Sequence, residues 1–256
     1  VVDEMEEIVG KYNVKLFNFQ DSAFDDPGKL GQKRSRAICE EIIKRGLEVS
    51  IKVYYRAHPV KDGPDDIALY RLYKEAGIDV IIFGVEAGSN YELELYGKTA
   101  RVEDNYRCLK IMHELDLFFC HVGIIMFGPY STFSTLRENY RFMYQNQLFY
   151  WYCIISNSLI VTPGAAIYNK MKQEGRIIPR NNYWEYPDYE FRDLKIKELA
   201  LHYQHLRAIY PHIDLGSPLV LKAENIIPRL KNKMNKNVAA SCKCEIEIFK
   251  DIYYKN

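Results

Sequence analysis

The sequence predicts an α/β fold with parallel strands, and three observations lead to this prediction. Apolar runs alternate with amphipathic stretches five times at nearly constant spacing, as in right-handed βαβ units. The central run, Val80–Val85, is continuously apolar, as in a strand buried on both faces. Polar or small residues follow every run, so we expect one shared site at the mouth of a barrel.

Composition and charge exclude several classes of protein. The chain has 256 residues, 48% hydrophobic and 27% charged, which indicates a globular protein. The net charge of +1 gives no electrostatic case for nucleic acid. The longest apolar runs, 117–127 and 148–155, are too short to span a bilayer. The six cysteines are scattered, which argues against a disulfide framework and for the reducing cytosol.

Strands and helices are predicted in strict alternation. The first helix carries apolar residues at helical spacing and is expected to stop near Gly10, while Pro64 and Gly77 suit the two ends of another. The predicted strands are Lys15–Phe19, Val49–Tyr55, Val80–Val85, Phe118–Phe127 and Tyr152–Val161. The predicted helices are Val1–Tyr12, Leu30–Gly46, Pro64–Gly77, Val102–Leu115, Leu136–Asn146, Ala165–Glu174 and Asp193–Ile209.

After residue 178 the alternation ends. Asn181–Phe191 is predicted to be a loop, and the helix after it to bury Leu194, Leu199, Leu206 and Ile209. Leu219–Asn237 begins apolar and becomes basic, which favours a solvated helix face over a nucleic-acid patch. The tail, Val238–Asn256, is consistent with a strand, an edge hairpin or frayed chain.

The stretch Ile81–Ser89 is the candidate site from which the others follow. The strand delivers one carboxylate, Glu86, at its C-terminal end, where parallel sheets bind ligands. Small residues leave room for a ligand against the backbone at Gly84, Ala87, Gly88 and Ser89. The alternative is a tight turn with a solvated glutamate. Asp21, Arg56, Gly128-Pro129 and Thr162-Pro163-Gly164 follow the other strands.

The ordered set of segments resembles the radical S-adenosylmethionine (SAM) enzymes, and among them the cobalamin-binding type. The resemblance covers roughly residues 1–178 and includes the strand that ends at Arg56. The matching text reads VVDEMEEIVGKYNVKLFNFQDSAF, FGVEAGSNYELELYGKTARVEDNYRCLKIMHELDL, VGIIMFGPYSTFSTLRENYRF and VTPGAAIYNKMKQEGRI.

The resemblance implies an architecture and a chemistry. The fold would be a partial TIM-type (βα)6 barrel without its first strand over 1–178, with a mainly helical, substrate-shaping extension over 179–256. The complete enzyme would use a [4Fe–4S] cluster to cleave SAM to a 5′-deoxyadenosyl radical, in some relatives for cobalamin-dependent methyl transfer. Implied partners are a small-molecule or peptide substrate and a flavodoxin-like or ferredoxin-like electron donor.

The sequence departs from this family at the cluster. No three cysteines have the CxxxCxxC spacing of the cluster ligands, and Cys39 and Cys108 lie in predicted helices as packing residues. The chain starts at Val1 without Met, so we expect the motif and a cobalamin domain to lie upstream in a longer protein. The alternative is a degenerate barrel without a cluster, acting as a binding or interaction subunit.

Site roles are carried over residue by residue. The resemblance implies that Glu86 accepts hydrogen bonds from the SAM amino group or ribose, and that Ser89 donates to SAM, the alternative being a helix cap. Arg56 would pair with the SAM carboxylate, or else form a salt bridge with Glu86 or Asp21. Asp21 would touch SAM, substrate or cobalamin, or orient Arg56. Main chain at Gly128, Thr162 and Pro163 would border the adenine, although at Gly128 simple close packing is the alternative. No metal role falls to His58 or His121.

Overall fold

The computed structural model describes residues 1–26, 28–148, 152–182 and 185–209, in which strands and helices follow one another in an α/β pattern as predicted. The helices are α1 (Val2–Tyr12), α2 (Gly28–Lys44), α3 (Pro64–Glu75), α4 (Asn90–Leu95), α5 (Val102–Leu115), α6 (Phe133–Gln145), α7 (Tyr152–Ser156), α8 (Ala166–Gln173) and α9 (Leu194–Ile209). The strands are β1 (Leu16–Asn18), β2 (Ser50–Arg56), β3 (Ile78–Glu86), β4 (Phe119–Ile124), β5 (Ile177–Ile178) and β6 (Asp188–Tyr189).

The main sheet positions the candidate residues. Its strand order in the described residues is β1-β2-β3-β4. The pairs β1–β2 and β2–β3 are parallel, with Arg56 in register with Gly84 at the C-terminal end of β2. The first, second and third predicted strands are therefore confirmed, and their polar exits lie at the carboxyl edge of the sheet, where parallel sheets bind ligands.

The fifth predicted strand is wrong. Its first half, Tyr152–Ser156, is the helix α7, and only Ser158 forms an isolated parallel bridge, with Phe127. β4 ends at Ile124, short of the predicted Phe127, and the carbonyl of Asn157 accepts the N–H groups of Met126 and Phe127 at 3.0 Å each. A short, continuously apolar run does not distinguish a buried strand from a buried helix, which explains the error.

Smaller corrections concern element ends and faces. α1 continues past Gly10 to Tyr12 and ends where Asn13 adopts a left-handed conformation. In α9, Leu194 and Ile209 are exposed rather than inside. The buried face of α9 is instead formed by Ile196, Ala200 and Tyr203, which follow a four-then-three spacing.

Three further elements were not predicted. α4 lies in the polar stretch after Ser89. β5 and β6 form a small antiparallel pair, so that part of the predicted loop Asn181–Phe191 is strand. The predictions for Leu219–Asn237 and Val238–Asn256 fall outside the described residues, and the predicted boundary at residue 178 stays a prediction.

The chain divides into two units, each with its own core. The first comprises Val1–Val85 and Ala100–Gly123. Its core is aromatic: Tyr55 packs edge-to-face on Phe83 and on Tyr73, and Phe24 packs on Tyr73. The hydroxyl of Tyr73 hydrogen-bonds that of Ser35 at 2.6 Å, so this buried polar group is satisfied.

The second unit comprises the described residues of Glu86–Thr99 and Ile124–Asn256. Tyr130, Val161, Ile167 and Met171 form one apolar cluster in it. No helix among the described residues is both long and apolar enough to cross a membrane.

The start of α5 is held by an ionised carboxylate. Asp104 accepts hydrogen bonds from the backbone N–H of Arg101 at 2.9 Å and from the Arg107 guanidinium at 2.7 Å, and it contacts His58 at 3.1 Å. Burial raises the pKa of Asp104, but these three donors outweigh it and bring the pKa down from 3.8 to about 2.

We therefore expect Asp104→Asn to destabilise the protein at neutral pH. Because the folded-state pKa lies below the unfolded value, the stabilisation is present above pH 3.8 and is lost as the pH falls toward 2. Urea unfolding should show a loss of about 2 kcal/mol near neutral pH that shrinks on acidification. The control is Asp62→Asn, because Asp62 is exposed. Its free energy of unfolding should match that of the wild type. A loss for Asp104→Asn that stays constant across this range would contradict the role of the ionised carboxylate.

Candidate functional site

Glu86 ends β3 in a strained backbone conformation. Its φ is 66°, in the left-handed region that residues other than glycine rarely adopt. Its Oε1 accepts a hydrogen bond from Lys98 Nζ at 2.9 Å, and its carbonyl accepts the N–H of Ile125 at 2.7 Å. Strain of this kind costs about 1–3 kcal/mol and is concentrated at functional sites. The carboxylate is thus a charge-balanced group fixed at the strand end, not a merely solvated turn residue.

Gly88 and Ser89 continue this loop with no spare room. A Cβ on Gly88 would lie 2.4 Å from Cβ of Phe142. The backbone N–H of Gly88 donates a hydrogen bond to Asn139 Oδ1 at 2.6 Å. Ser89 is 1% exposed and takes the N-cap position of α4, yet its hydroxyl makes no capping bond. Among the described residues this hydroxyl has no hydrogen-bond partner. A buried hydroxyl without a partner is uncommon in folded proteins, and a bound water, ion or ligand is one way in which such a group is satisfied.

A buried carboxylate behind this loop was not singled out from the sequence. Glu92, on α4, is 0% exposed. Its Oε1 accepts from the Ser131 hydroxyl at 2.6 Å and its Oε2 from Asn139 Nδ2 at 2.7 Å. Burial raises the pKa of Glu92, and the hydrogen bonds from Ser131 and Asn139 oppose that shift. In the sequence, Glu92 is one of two glutamates in the polar stretch after Ser89, and no local pattern separates it from Glu94.

Gly128 follows β4 in a similarly crowded place. A Cβ on Gly128 would lie 2.7 Å from the Tyr96 hydroxyl. The backbone N–H of Gly128 donates a hydrogen bond to Ser131 Oγ at 2.9 Å. Gly128 is therefore closely packed, and the role of its main chain toward the adenine stays a prediction. Thr162 and Pro163 are exposed in a turn. The N–H of Ala165 donates a hydrogen bond to the Thr162 carbonyl at 3.1 Å, which closes this turn.

Arg56 lies in the first unit, at the end of β2. It forms an ion pair with Asp26, rather than with either partner considered from the sequence, and its side chain remains half exposed. Gly84, the residue in register with it, is half-buried on β3. The sheet therefore brings Arg56 and Gly84 together.

Two aspartates follow β1 in different surroundings. Asp21 is exposed and lies 3.9 Å from the Arg34 guanidinium. Asp25, which was not singled out from the sequence, is 1% exposed, and in the described chain no hydrogen bond of normal geometry reaches its carboxylate oxygens. Burial raises the pKa of Asp25, while the nearby Tyr55 hydroxyl and Arg56 work against that shift. The first unit thus has a buried carboxyl group close to Arg56.

The described cysteines do not fit an iron–sulfur cluster. Cys39 and Cys108 are fully buried in α2 and α5, as packing residues should be. Burial raises the pKa of the Cys39 and Cys120 thiols to about 12 and that of Cys108 well above its usual value, so thiolate ligands are disfavoured. Within the residues described, no three His, Cys, Asp or Glu side chains come together as a metal site.

His58 and His121, the two histidines considered from the sequence, differ in burial and in their neighbours. His58 is exposed beside Asp104. Burial, together with the nearby Lys52, lowers the pKa of His121 to about 4, so it is neutral at physiological pH.

Sequence comparison identifies a relative of known activity. No protein-family profile matches the chain. The chain is 26% identical over 185 residues to the anaerobic magnesium-protoporphyrin IX monomethyl ester cyclase of Cereibacter sphaeroides. This match covers 72% of the chain but only 28% of the cyclase. The chain thus spans less than a third of that relative.

Solved structures decide the fold. The cobalamin-dependent SAM radical enzyme OxsB, with aqua-cobalamin and SAM bound, superposes over 99% of this chain and 42% of its own, with a TM-score of 0.72 and 20% identity. This chain has the fold of the cobalamin-dependent radical SAM enzymes. The resemblance predicted from the sequence is therefore confirmed for the fold.

A second radical SAM structure supports this assignment. The radical SAM methyltransferase TsrM from Kitasatospora setae, with cobalamin and a [4Fe–4S] cluster bound, covers 68% of this chain and 31% of its own. Its TM-score is 0.52, with 18% identity. The three cofactors predicted for the radical SAM family, SAM, cobalamin and the cluster, are those bound in these structures.

We expect Gly88→Ala to destabilise the protein because the new methyl group would overlap Phe142. Overpacking of this kind typically costs about 1–3 kcal/mol. Gly10→Ala is the matched control, since Gly10 lies inside α1 and a Cβ there would have no atom within 4 Å. It should instead stabilise by up to about 1 kcal/mol. Equal effects of the two changes on chemical denaturation would show that the loop at Gly88 is not tightly packed.

Proposed function

We propose that these residues form the SAM-binding part of a radical SAM enzyme. The observation that carries the proposal is the Ser89 hydroxyl, which is buried and unpartnered in the described chain and lies three residues after Glu86, whose backbone is strained. Glu86 ends a strand of the radical SAM fold and Ser89 follows it, at the carboxyl edge where parallel sheets bind ligands.

The chemistry of SAM suits these groups. SAM carries an ammonium group, a carboxylate and ribose hydroxyls. Glu86 would accept from the ammonium group or the ribose, in exchange for part of its bond to Lys98, and Ser89 would donate to the carboxylate or the ribose.

The remaining site residues have proposed roles of the same kind. Arg56 would bind the SAM carboxylate as a fork, and Asp21 would orient it or touch substrate or cobalamin. Main chain at Gly84, Gly128, Thr162 and Pro163 would border the nucleoside.

The iron–sulfur cluster needs ligands other than the thiols of Cys39, Cys108 and Cys120, because their raised pKa values keep them protonated. When bound, such a cluster supplies the electron that cleaves SAM to a 5′-deoxyadenosyl radical. The role of the residues described is therefore to bind and orient SAM. The cluster ligands, and a cobalamin site, would come from the rest of a longer protein.

Cobalamin-dependent methyl transfer is the specific reaction that we propose, on a small-molecule or peptide substrate and with a flavodoxin-like or ferredoxin-like electron donor. It is supported by the likeness to a radical SAM methyltransferase and to a cobalamin-dependent SAM radical enzyme. The alternative, a binding subunit without a cluster, is favoured by the lack of a CxxxCxxC triplet among the six cysteines.

The decisive experiment is anaerobic reconstitution of the full-length native protein with iron and sulfide. If the proposal holds, it will retain about four irons per chain, bind SAM and release 5′-deoxyadenosine on reduction. The 256-residue chain alone, as the control, will hold no cluster. A full-length protein that binds SAM without iron would instead support the binding subunit. No SAM binding in either form would overturn the proposal.

We expect Glu86→Gln to weaken SAM binding by about tenfold, because a charged hydrogen bond to the ammonium group becomes a neutral one. Calorimetric titration of the full-length protein with SAM measures this change. Glu94→Gln removes the same charge from an exposed position on α4 and should bind SAM like the wild type. Unchanged affinity in Glu86→Gln would remove Glu86 from the site.

A further inference from the structure

The fully buried carboxylate of Glu92 needs an explanation that packing does not provide. Moving a carboxylate out of water costs several kcal/mol, and an apolar residue of similar volume would avoid this cost. The site nevertheless surrounds both carboxylate oxygens with donors, from Ser131 and from Asn139. The surroundings are therefore specific for an acid at this position.

The direction of each hydrogen bond follows from groups that can only donate. The N–H of Gly88 cannot accept, so Asn139 must turn its carbonyl oxygen toward it. The amide nitrogen of Asn139 then faces Glu92 and must donate. A carboxylate accepts there, whereas the amide of a glutamine would present its own donor to one of its two neighbours.

A second chain of hydrogen bonds ends on the same carboxylate. The N–H of Gly128 donates to the Ser131 hydroxyl, so the single hydroxyl proton of Ser131 is left for Glu92. The Glu92 carboxylate is thus the final acceptor of two series of hydrogen bonds. One begins at Gly88 in the loop after β3, and the other begins at Gly128 in the loop after β4. Both loops belong to the same unit of the chain.

We propose that Glu92 is a positioning residue that fixes, through Asn139 and Ser131, the main chain of the two loops at the SAM site. The inference rests on the proposed function, because it names the residue that orients this site. Glu92 acts through its neighbours and does not itself touch the ligand. By fixing the peptide plane at Gly88, it sets the direction in which the next side chain, Ser89, presents its hydroxyl.

The required polarity gives a rescue test. Glu92→Gln alone turns its amide donor either toward the Asn139 amide, where two donors meet, or toward the Ser131 hydroxyl, whose own proton then loses its acceptor. Asn139→Asp alone places two carboxylates in contact. The double change Glu92→Gln with Asn139→Asp restores every pair, because the new glutamine donates to the new aspartate, which still accepts from Gly88.

Two readouts on the full-length protein separate positioning from folding. The first is hydrogen exchange of the Gly88 amide without SAM, and the second is SAM affinity by calorimetry. Each single variant should exchange at Gly88 at least about tenfold faster and bind SAM about tenfold more weakly, the loss of one hydrogen bond to a charged group. The double variant should return to within about threefold of the wild type in both.

Two controls have matched chemistry. Glu94→Gln changes the same residue type at an exposed position of the same helix and should change neither readout. Ser35→Ala removes a buried hydrogen bond to Tyr73 in the other unit, so it should lower the melting temperature and leave SAM affinity unchanged.

The proposal is overturned if the single variants only lower the melting temperature, as Ser35→Ala does, or if the double variant restores neither readout. The exchange rates at Gly88 decide the positioning role without any ligand. A wild-type protein that binds no SAM would therefore overturn the proposed function, while the exchange pattern would still support or overturn the control of the loop by Glu92.

Discussion

The close approach of the main chain at Gly88 to Phe142 is the constraint on which the candidate site depends. Because no side chain fits between the loop after β3 and α6, the loop is held by a direct hydrogen bond from its backbone to Asn139. Gly128 repeats the arrangement after β4, against Tyr96 and Ser131. Contacts of this kind leave the loops little freedom, which is how a site is formed before its ligand arrives.

Two carboxylates are buried among the described residues, and they are held in different ways. Glu92 has donors on both oxygens, so its desolvation is offset by hydrogen bonds. Asp25, in the other unit, lacks such partners within the described chain, and Tyr55 and Arg56 are the groups that act on it. Groups of this kind are concentrated at functional sites, and Asp25 follows β1 at the carboxyl edge of the sheet.

The comparisons separate what the fold determines from what it leaves open. At 20% identity the chain still matches a cobalamin-dependent SAM radical enzyme with a TM-score of 0.72, so the course of the backbone is kept while most side chains differ. The named relatives include a cyclase and a methyltransferase. A fold that serves both reactions cannot by itself select one, which makes the reaction a matter for the site and the substrate.

The sequence by itself determined the parallel α/β fold, the strand that ends at Glu86 and the small residues after it, because buried strands and tight turns leave local patterns. It misassigned Tyr152–Ser156, since a short apolar run suits a helix as well as a strand. Only the tertiary structure decided that Arg56 pairs with Asp26, that Lys98 pairs with Glu86, and that Glu92 meets Asn139 and Ser131. Arg56 and Asp26, like Glu92 and its two partners, lie some 30 to 50 residues apart in the sequence. Such pairings depend on how the helices and strands pack, so they leave no periodic signal in the sequence.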